Sequence, residues 1–187
     1  MFGIPGGAGG RLIASIDLQE DFPMNHRFAV ALLVAVQLSC ADTGTGPGDR
    51  RFNMDVQYGI RARNELNTFD DTFTKDLIVD GTATTSLRLS RADFDTIESS
   101  LQSVDIFSYP DTFIVQHSDT VSYITPFATY VLRVKLDSRE KNLVWRDSII
   151  ISDIRASRLR EVFDLIRKIV EATPEFRALP PPRGGYL

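Results

Sequence analysis

The chain has 187 residues, a formal net charge of −4, 43% hydrophobic residues and 25% charged residues. That balance is ordinary for a folded domain and too apolar for wholesale disorder, and no stripe of clustered Lys and Arg fits it to a nucleic-acid backbone. A single cysteine, Cys40, excludes a disulfide framework within the chain.

Residues 1–23 are Gly-rich and then acidic. Their glycines are not followed by Lys-Ser or Lys-Thr, so they make no phosphate loop. They are expected to be a mis-assigned or disordered extension, with translation starting at Met24. Met24-Asn25-His26-Arg27 is a short cationic segment, and Phe28–Leu38 is apolar apart from Gln37. The apolar run fits the span of about 7–15 residues expected of a signal peptide. It falls short of the roughly 20 residues that cross a bilayer.

The stretch ends Gln37-Leu38-Ser39-Cys40. With its charged start, apolar core and small residue before a cysteine, Met24–Cys40 resembles a bacterial lipoprotein signal peptide. Gln37 departs from the aliphatic residue usual in that motif. The resemblance implies a signal peptide over 24–39, cleavage before Cys40, lipidation of the Cys40 thiol and acylation of the new amino terminus by palmitate-type chains. Two or more chains hold a protein on a membrane without any spanning helix. The implied location is the bacterial cell envelope, membrane-anchored by lipid and facing the periplasm or the exterior. Residues 40–51 then form the lipidated cysteine and a flexible Gly-rich tether, with a typical reach near 20 Å (about 5–6 Å times the square root of its length).

The globular domain is expected over 52–173. Phe52, Met54, Val56, Tyr58 and Ile60 alternate with polar residues, the period of a half-buried strand. Arg61–Asp71 reads as a polar loop. Thr72–Val79 and Thr82–Leu89 flank Asp80-Gly81, a hairpin signal in which both turn residues take positive φ. Ser90 is the N-cap candidate of a helix with Asp93 at its third position. Phe94, Ile97, Leu101 and Val104 share a face of that helix, and Pro110 prevents its continuation. Thr112–Gln116 reads as a short strand and His117–Pro126 as a loop. Ala128–Leu136 and Asn142–Ile150 read as a hairpin around 137–141. The longest helix runs from about Asp153 to Ala172, with Leu159, Val162, Phe163, Ile166, Ile169 and Val170 as its core stripe, and Thr173-Pro174 stops it. Residues 174–187 read as an irregular Pro/Gly-rich tail. The fold class is α+β: an antiparallel sheet of hairpins, two helices on one face, in a ββα-ββα-like order.

The same residues carry little catalytic chemistry. His117 is the one histidine after Cys40, so a zinc site is not expected, and no metal or cofactor is assigned. His117-Ser118-Asp119 holds triad residue types, but a triad is assembled in space around a strained nucleophile turn. Asp93-Phe94-Asp95 lacks the Gly and Glu of a calcium loop. Asp70-Asp71 reads as solvated loop, Trp145 as core, and Arg155, Arg158, Arg160, Arg167 and Lys168 as a mixed helix face. Carboxylate pairs for glycoside chemistry depend on separation in space, which the linear order leaves open.

The layout of hairpin, helix, an Asp105-Ile106-Phe107-Ser108-Tyr109-Pro110 exit, hairpin and helix over 72–172 resembles emfourin-type proteinaceous inhibitors of metallopeptidases. The Gly-Gly-containing opening strand of that family is absent, and no functional residue carries over. The expected function is a non-catalytic, lipid-anchored binding or envelope-support module. Its expected partners are the membrane, through the anchor, and an envelope protein or a peptidase, with no nucleic acid. The alternatives are a peptidase inhibitor of the emfourin kind and an enzyme with a site hidden in the fold.

Overall fold

A computed structural model of the chain describes residues 50–117, 121–150 and 153–187. The signal-like stretch, Cys40 and the tether up to residue 49 lie outside the described residues. Among those described, the elements are β1 (Phe52–Tyr58), β2 (Asn64–Asn67), β3 (Thr72–Asp76), β4 (Thr82–Ser86), α1 (Arg91–Ser103), β5 (Thr112–Phe113), β6 (Ser122–Leu136), β7 (Arg139–Ile150), α2 (Ile154–Ala172) and α3 (Pro174–Ala178).

The chain has an α+β fold, with one sheet in the order β4-β3-β2-β1-β6-β7-β5. β1, first in sequence, lies in the middle, paired to β2 from Asp55–Asn67 to Tyr58–Asn64 and to β6 from Phe52–Leu136 to Gln57–Val131. Directly opposed residues share a face, so the register sorts the sheet. Met54, Val56, Leu66, Phe73, Leu132, Val134, Leu143 and Trp145 line one face and are buried. The helices bring Ile97, Leu101, Leu159, Val162, Phe163, Ile166 and Val170 into the same core. Tyr130 stacks on Phe163 at 4.2 Å and on Trp145 at 5.2 Å, and Trp145 meets Phe113 edge-on at 5.6 Å. This column joins β5, β7, β6 and α2; each such ring pair contributes about 0.5–1.5 kcal/mol beyond burial.

Both helix starts follow their sequence signals. The Ser90 hydroxyl accepts from Asp93 N at 3.2 Å while the Asp93 carboxylate accepts from Ser90 N, a reciprocal cap. Asp153 caps α2 through Ala156 N at 2.7 Å.

Several expectations are corrected. The 61–71 loop contains β2, because Leu66 fills the core opposite Val56 and Phe73. The β3–β4 connection is longer than a two-residue turn: Ile78 and Gly81 take positive φ, and Asp80 does not. The 112–116 strand shrinks to Thr112–Phe113 and runs parallel to β7, so the sheet is not purely antiparallel. β6 starts at Ser122, inside the expected 117–126 loop, with its pairing interrupted between Tyr123 and Ala128. The hairpin before β7 turns at Asp137 with positive φ, and β7 begins at Arg139. Residues 174–187 are not an irregular tail throughout. Thr173 ends α2 and caps α3, and Phe176 packs on Phe73 at 5.6 Å.

The β1–β2 connection carries two adjacent left-handed residues, Arg61 (φ 59°) and Ala62 (φ 54°). Left-handed geometry costs a residue with a Cβ roughly 1–2 kcal/mol, and glycine forfeits part of that gain to unfolded-state entropy. Ala62→Gly is therefore expected to stabilise the fold by about 0.5–1 kcal/mol. The check is urea unfolding: a higher midpoint at unchanged slope.

Candidate functional site

The face of the sheet opposite the helices is polar because β1 alternates. Asn53, Asp55 and Gln57 point there, and register places Lys135, Arg133 and Val131 beside them on β6. Asn67 and Glu65 join from β2, Thr72 and Thr74 from β3, Thr84 and Ser86 from β4. Thr74 and Thr84 hydroxyls meet at 2.9 Å.

One corner of this face is sealed. The Thr68 hydroxyl donates to Met54 O at 3.0 Å and accepts from Met54 N at 2.8 Å, and it meets the fully buried Asn53 at 3.3 Å. Arg50 locks the same turn with a two-pronged pair to Asp71, both contacts 2.8 Å, and donates to Thr68 O at 3.0 Å. Asp71 is thus an ion-pair partner shielded from solvent, not a solvated loop residue. Asp70 is exposed and accepts from Asn67 at 2.9 Å.

Beside the seal, Asp55 and Glu65 form an acidic patch with Asp70. Burial pushes the Asp55 carboxyl above its ordinary value; Arg133 across the ladder counters this, and Asp70 adds to it. Burial, then Asp55 and Asp70, push Glu65 the same way. Arg133 neutralises the patch only in part, because its guanidinium is bonded to Glu140 at 2.7 Å and lies over the Phe69 ring at 4.9 Å. One oxygen of Asp55, Oδ1, is buried with no hydrogen-bond partner.

A second feature lies where β5 ends. A mostly apolar cavity of about 230 Å³ separates Ile114 and Val115 from the Val144–Ile149 run of β7. Trp145 forms its floor from the core side, and Arg160 lies over that ring at 5.3 Å while gripping Asp147 at 2.6 and 2.7 Å.

A third feature is the β3–β4 loop, held from outside by the C-terminal segment. Arg183 clasps Asp80 with two contacts of 2.6 Å, and its backbone donates to Leu77 O at 3.2 Å. Tyr186 donates to Asp76, and Arg63 pairs with Asp76 at 3.4 Å. Asp76 also accepts from Ile78 N at 2.9 Å. This holds Ile78 at φ 64°, unusual for a β-branched residue, and leaves Val79 at the tip 72% exposed. Gly184 is required here: a Cβ on it would stand 2.7 Å from Val79.

The residues singled out from sequence do not converge. His117 lies in an exposed stretch after β5, with residues 118–120 outside the described residues. Asp93 is a helix cap on the far side of the core, and Trp145 is buried core. Of the helix cations, Arg160 pairs with Asp147, and Arg167 with Asp164 and Glu171. Among the described residues, no three His, Cys, Asp or Glu side chains are grouped so as to hold a metal ion. Cys40 lies outside the described residues. Asp55 and Glu65 were missed, although strict alternation put Asp55 on the polar side of β1; nothing linear signalled its lost hydration. Comparison of the chain with protein-family models, curated proteins and solved structures finds no match in any of the three.

The acidic patch sets a pH dependence of definite sign. Asp55 and Glu65 bind protons more tightly folded than unfolded, so folding is favoured as pH falls from neutral towards their ordinary values of 3.8 and 4.5. Asp55→Asn removes the half-buried charge while keeping the side chain's shape. It is expected to raise stability at neutral pH by about 1 kcal/mol, with the gain shrinking at pH 4. Thermal melts of both proteins at the two pH values check this; an equal or larger gain at pH 4 would overturn the assignment.

Proposed function

We propose that the chain is a non-catalytic binding module, carried on the bacterial cell envelope by lipid at Cys40 and presented outside the cytoplasm. The observation that carries this reading is the Met24–Cys40 stretch: a cationic start, an apolar run too short to span, a small residue, then the one cysteine of the chain. The geometry of the domain supports it. Helices cover one sheet face, while the other offers rows of Thr, Asn, Gln and carboxylate groups suited to binding by hydrogen bonds. The cavity beside β7 is mostly apolar, with Ile114, Val115, Val144, Ile149, Phe113 and Trp145 on its walls, and Asp147 at its side is satisfied by Arg160.

A second reading, a peptidase inhibitor of the emfourin kind, is favoured by one observation. The Leu77–Gly81 loop presents exposed Val79 on a backbone fixed by Arg183, Tyr186 and Asp76, the rigid display that an inhibitor needs. Stoichiometric mixing with a thermolysin-like peptidase tests it; unchanged peptidase activity removes it.

For the first reading, Cys40→Ala is expected to move the chain from the membrane fraction to the soluble fraction and to abolish acyl-lipid labelling. Membrane retention with labelling intact would overturn the anchor.

A further inference from the structure

The C-terminal segment lies on the β3–β4 corner through recognition contacts rather than through burial. It follows Pro180-Pro181-Pro182, a stiff run. Residues 183–185 are exposed, Tyr186 is half-buried, and none of the four joins the core. Arg183 forms a parallel bridge with Ile78. Its N–H donates to Leu77 O at 3.2 Å, and its carbonyl accepts from Val79 N at 3.4 Å. Such backbone pairing gives a bound extended peptide its affinity, and side-chain contacts give it selectivity.

Each position of the segment meets its own requirement. Arg183 sets two guanidinium nitrogens on Asp80, both at 2.6 Å, a fork that the ammonium of lysine does not reproduce. Gly184 has φ 83°, and a Cβ on it would stand 2.7 Å from Val79 Cγ2, so glycine is required. A Cβ on Gly185 would meet nothing within 4 Å, so that position accepts other side chains. Tyr186 donates its hydroxyl to the buried Asp76, which phenylalanine cannot do. The pattern that meets all four is Arg-Gly-any-Tyr.

The receiving surface has supports of its own. Asp76 accepts from Ile78 N at 2.9 Å and pairs with Arg63 at 3.4 Å, and its own N–H donates to the Asn64 side chain at 3.0 Å. Across the loop Leu77 N donates to Gly81 O at 2.9 Å. These contacts hold the corner, with Ile78 in its left-handed conformation, when the segment leaves. The segment itself is lightly held. The Arg183 side chain is 74% exposed, so water screens its pair with Asp80. Segments with few buried apolar contacts and exposed backbone bonds open most readily.

We infer that the β3–β4 corner is a recognition site for an extended Arg-Gly-any-Tyr segment of a protein partner, and that residues 183–186 fill it in cis as a removable plug. The inference gives the binding-module reading a ligand class and does not depend on the anchor. Binding is measured on the full-length chain in detergent with Cys40→Ala added, so failure of the anchor leaves these measurements untouched. The probe is a fluorescein-labelled peptide, Pro-Arg-Gly-Ala-Tyr-Leu, followed by anisotropy. A plug lowers the apparent affinity by the fraction of sites left open. Gly184→Val, which drives the plug off by its clash with Val79, should therefore bind the peptide about tenfold or more tighter than the parent chain. Arg183→Ala combined with Tyr186→Ala, which removes both side-chain holds without strain, should give the same gain. In either opened chain Asp80→Ala should weaken binding about tenfold, and so should Arg-Ala-Ala-Tyr or Arg-Gly-Ala-Phe within the peptide. Three results would overturn the proposal: no gain in either opened chain, equal binding of the Arg-Ala-Ala-Tyr peptide, or loss of folding in both opened chains by circular dichroism. The last would make the segment a structural clasp.

Discussion

The pairing of β1 with β6 is the constraint on which the rest of the structure depends. It joins residues at the start of the folded chain to residues far along it, from Phe52–Leu136 to Gln57–Val131. Bringing such distant segments together costs loop-closure entropy before any contact is gained. Once made, the pairing fixes the face of everything else. Met54 and Val56 lie beside Val134 and Leu132, so the β2–β3–β4 meander on one side and β7 on the other must set their apolar residues on that same face. A slip of one residue would turn Asp55 and Arg133 into the helix layer and Met54 out to solvent. The helices then have one surface to cover, which is why both long ones bury a single stripe.

Polar interactions finish what the apolar register leaves open, and they do so at places where the backbone is least regular. Asp71 has positive φ in the β2–β3 turn, and Arg50 holds it. Ile78 has positive φ in the β3–β4 loop, and Asp76, Arg183 and Tyr186 surround it. Asp76 is buried and takes three partners, from Ile78 N, Tyr186 and Arg63. Removing one partner of such a group leaves the others unsatisfied and costs more than the bond itself. The Arg183–Asp80 pair differs. Its arginine side chain is 74% exposed, so its Coulomb gain is screened and it directs the tail more than it stabilises the fold.

How much of this was legible follows from the range of the physics involved. Period-two alternation in β1 and the helical stripe of α2 are local, so sequence located them, and the Ser90 and Asp153 starts are hydrogen bonds across three residues. β2 was missed because it holds one core residue, Leu66, between polar neighbours, and its strand character comes from β1 and β3. β5 was overextended because Ile114 and Val115 look like strand, yet the backbone leaves β7 after Phe113. The C-terminal segment read as a linker because Pro180-Pro181-Pro182 and Gly184-Gly185 resemble one. What orders it is pairing with Asp76 and Asp80, a hundred residues earlier. Of the candidate surfaces, the polar side of β1 was visible in the alternation. The dehydration of Asp55 exists only after assembly.

The same assembly gives the domain a polarity along its strands. The described chain enters at Arg50, next to the β6–β7 turn, where ion pairs such as Arg51 with Asp137 and Arg133 with Glu140 crowd the surface. At the far end of the same two strands Tyr123, Ile124 and Ile150 are exposed. Charge at the entry and exposed apolar side chains at the far end are thus two consequences of one long hairpin, and the β1–β6 register decides which end is which.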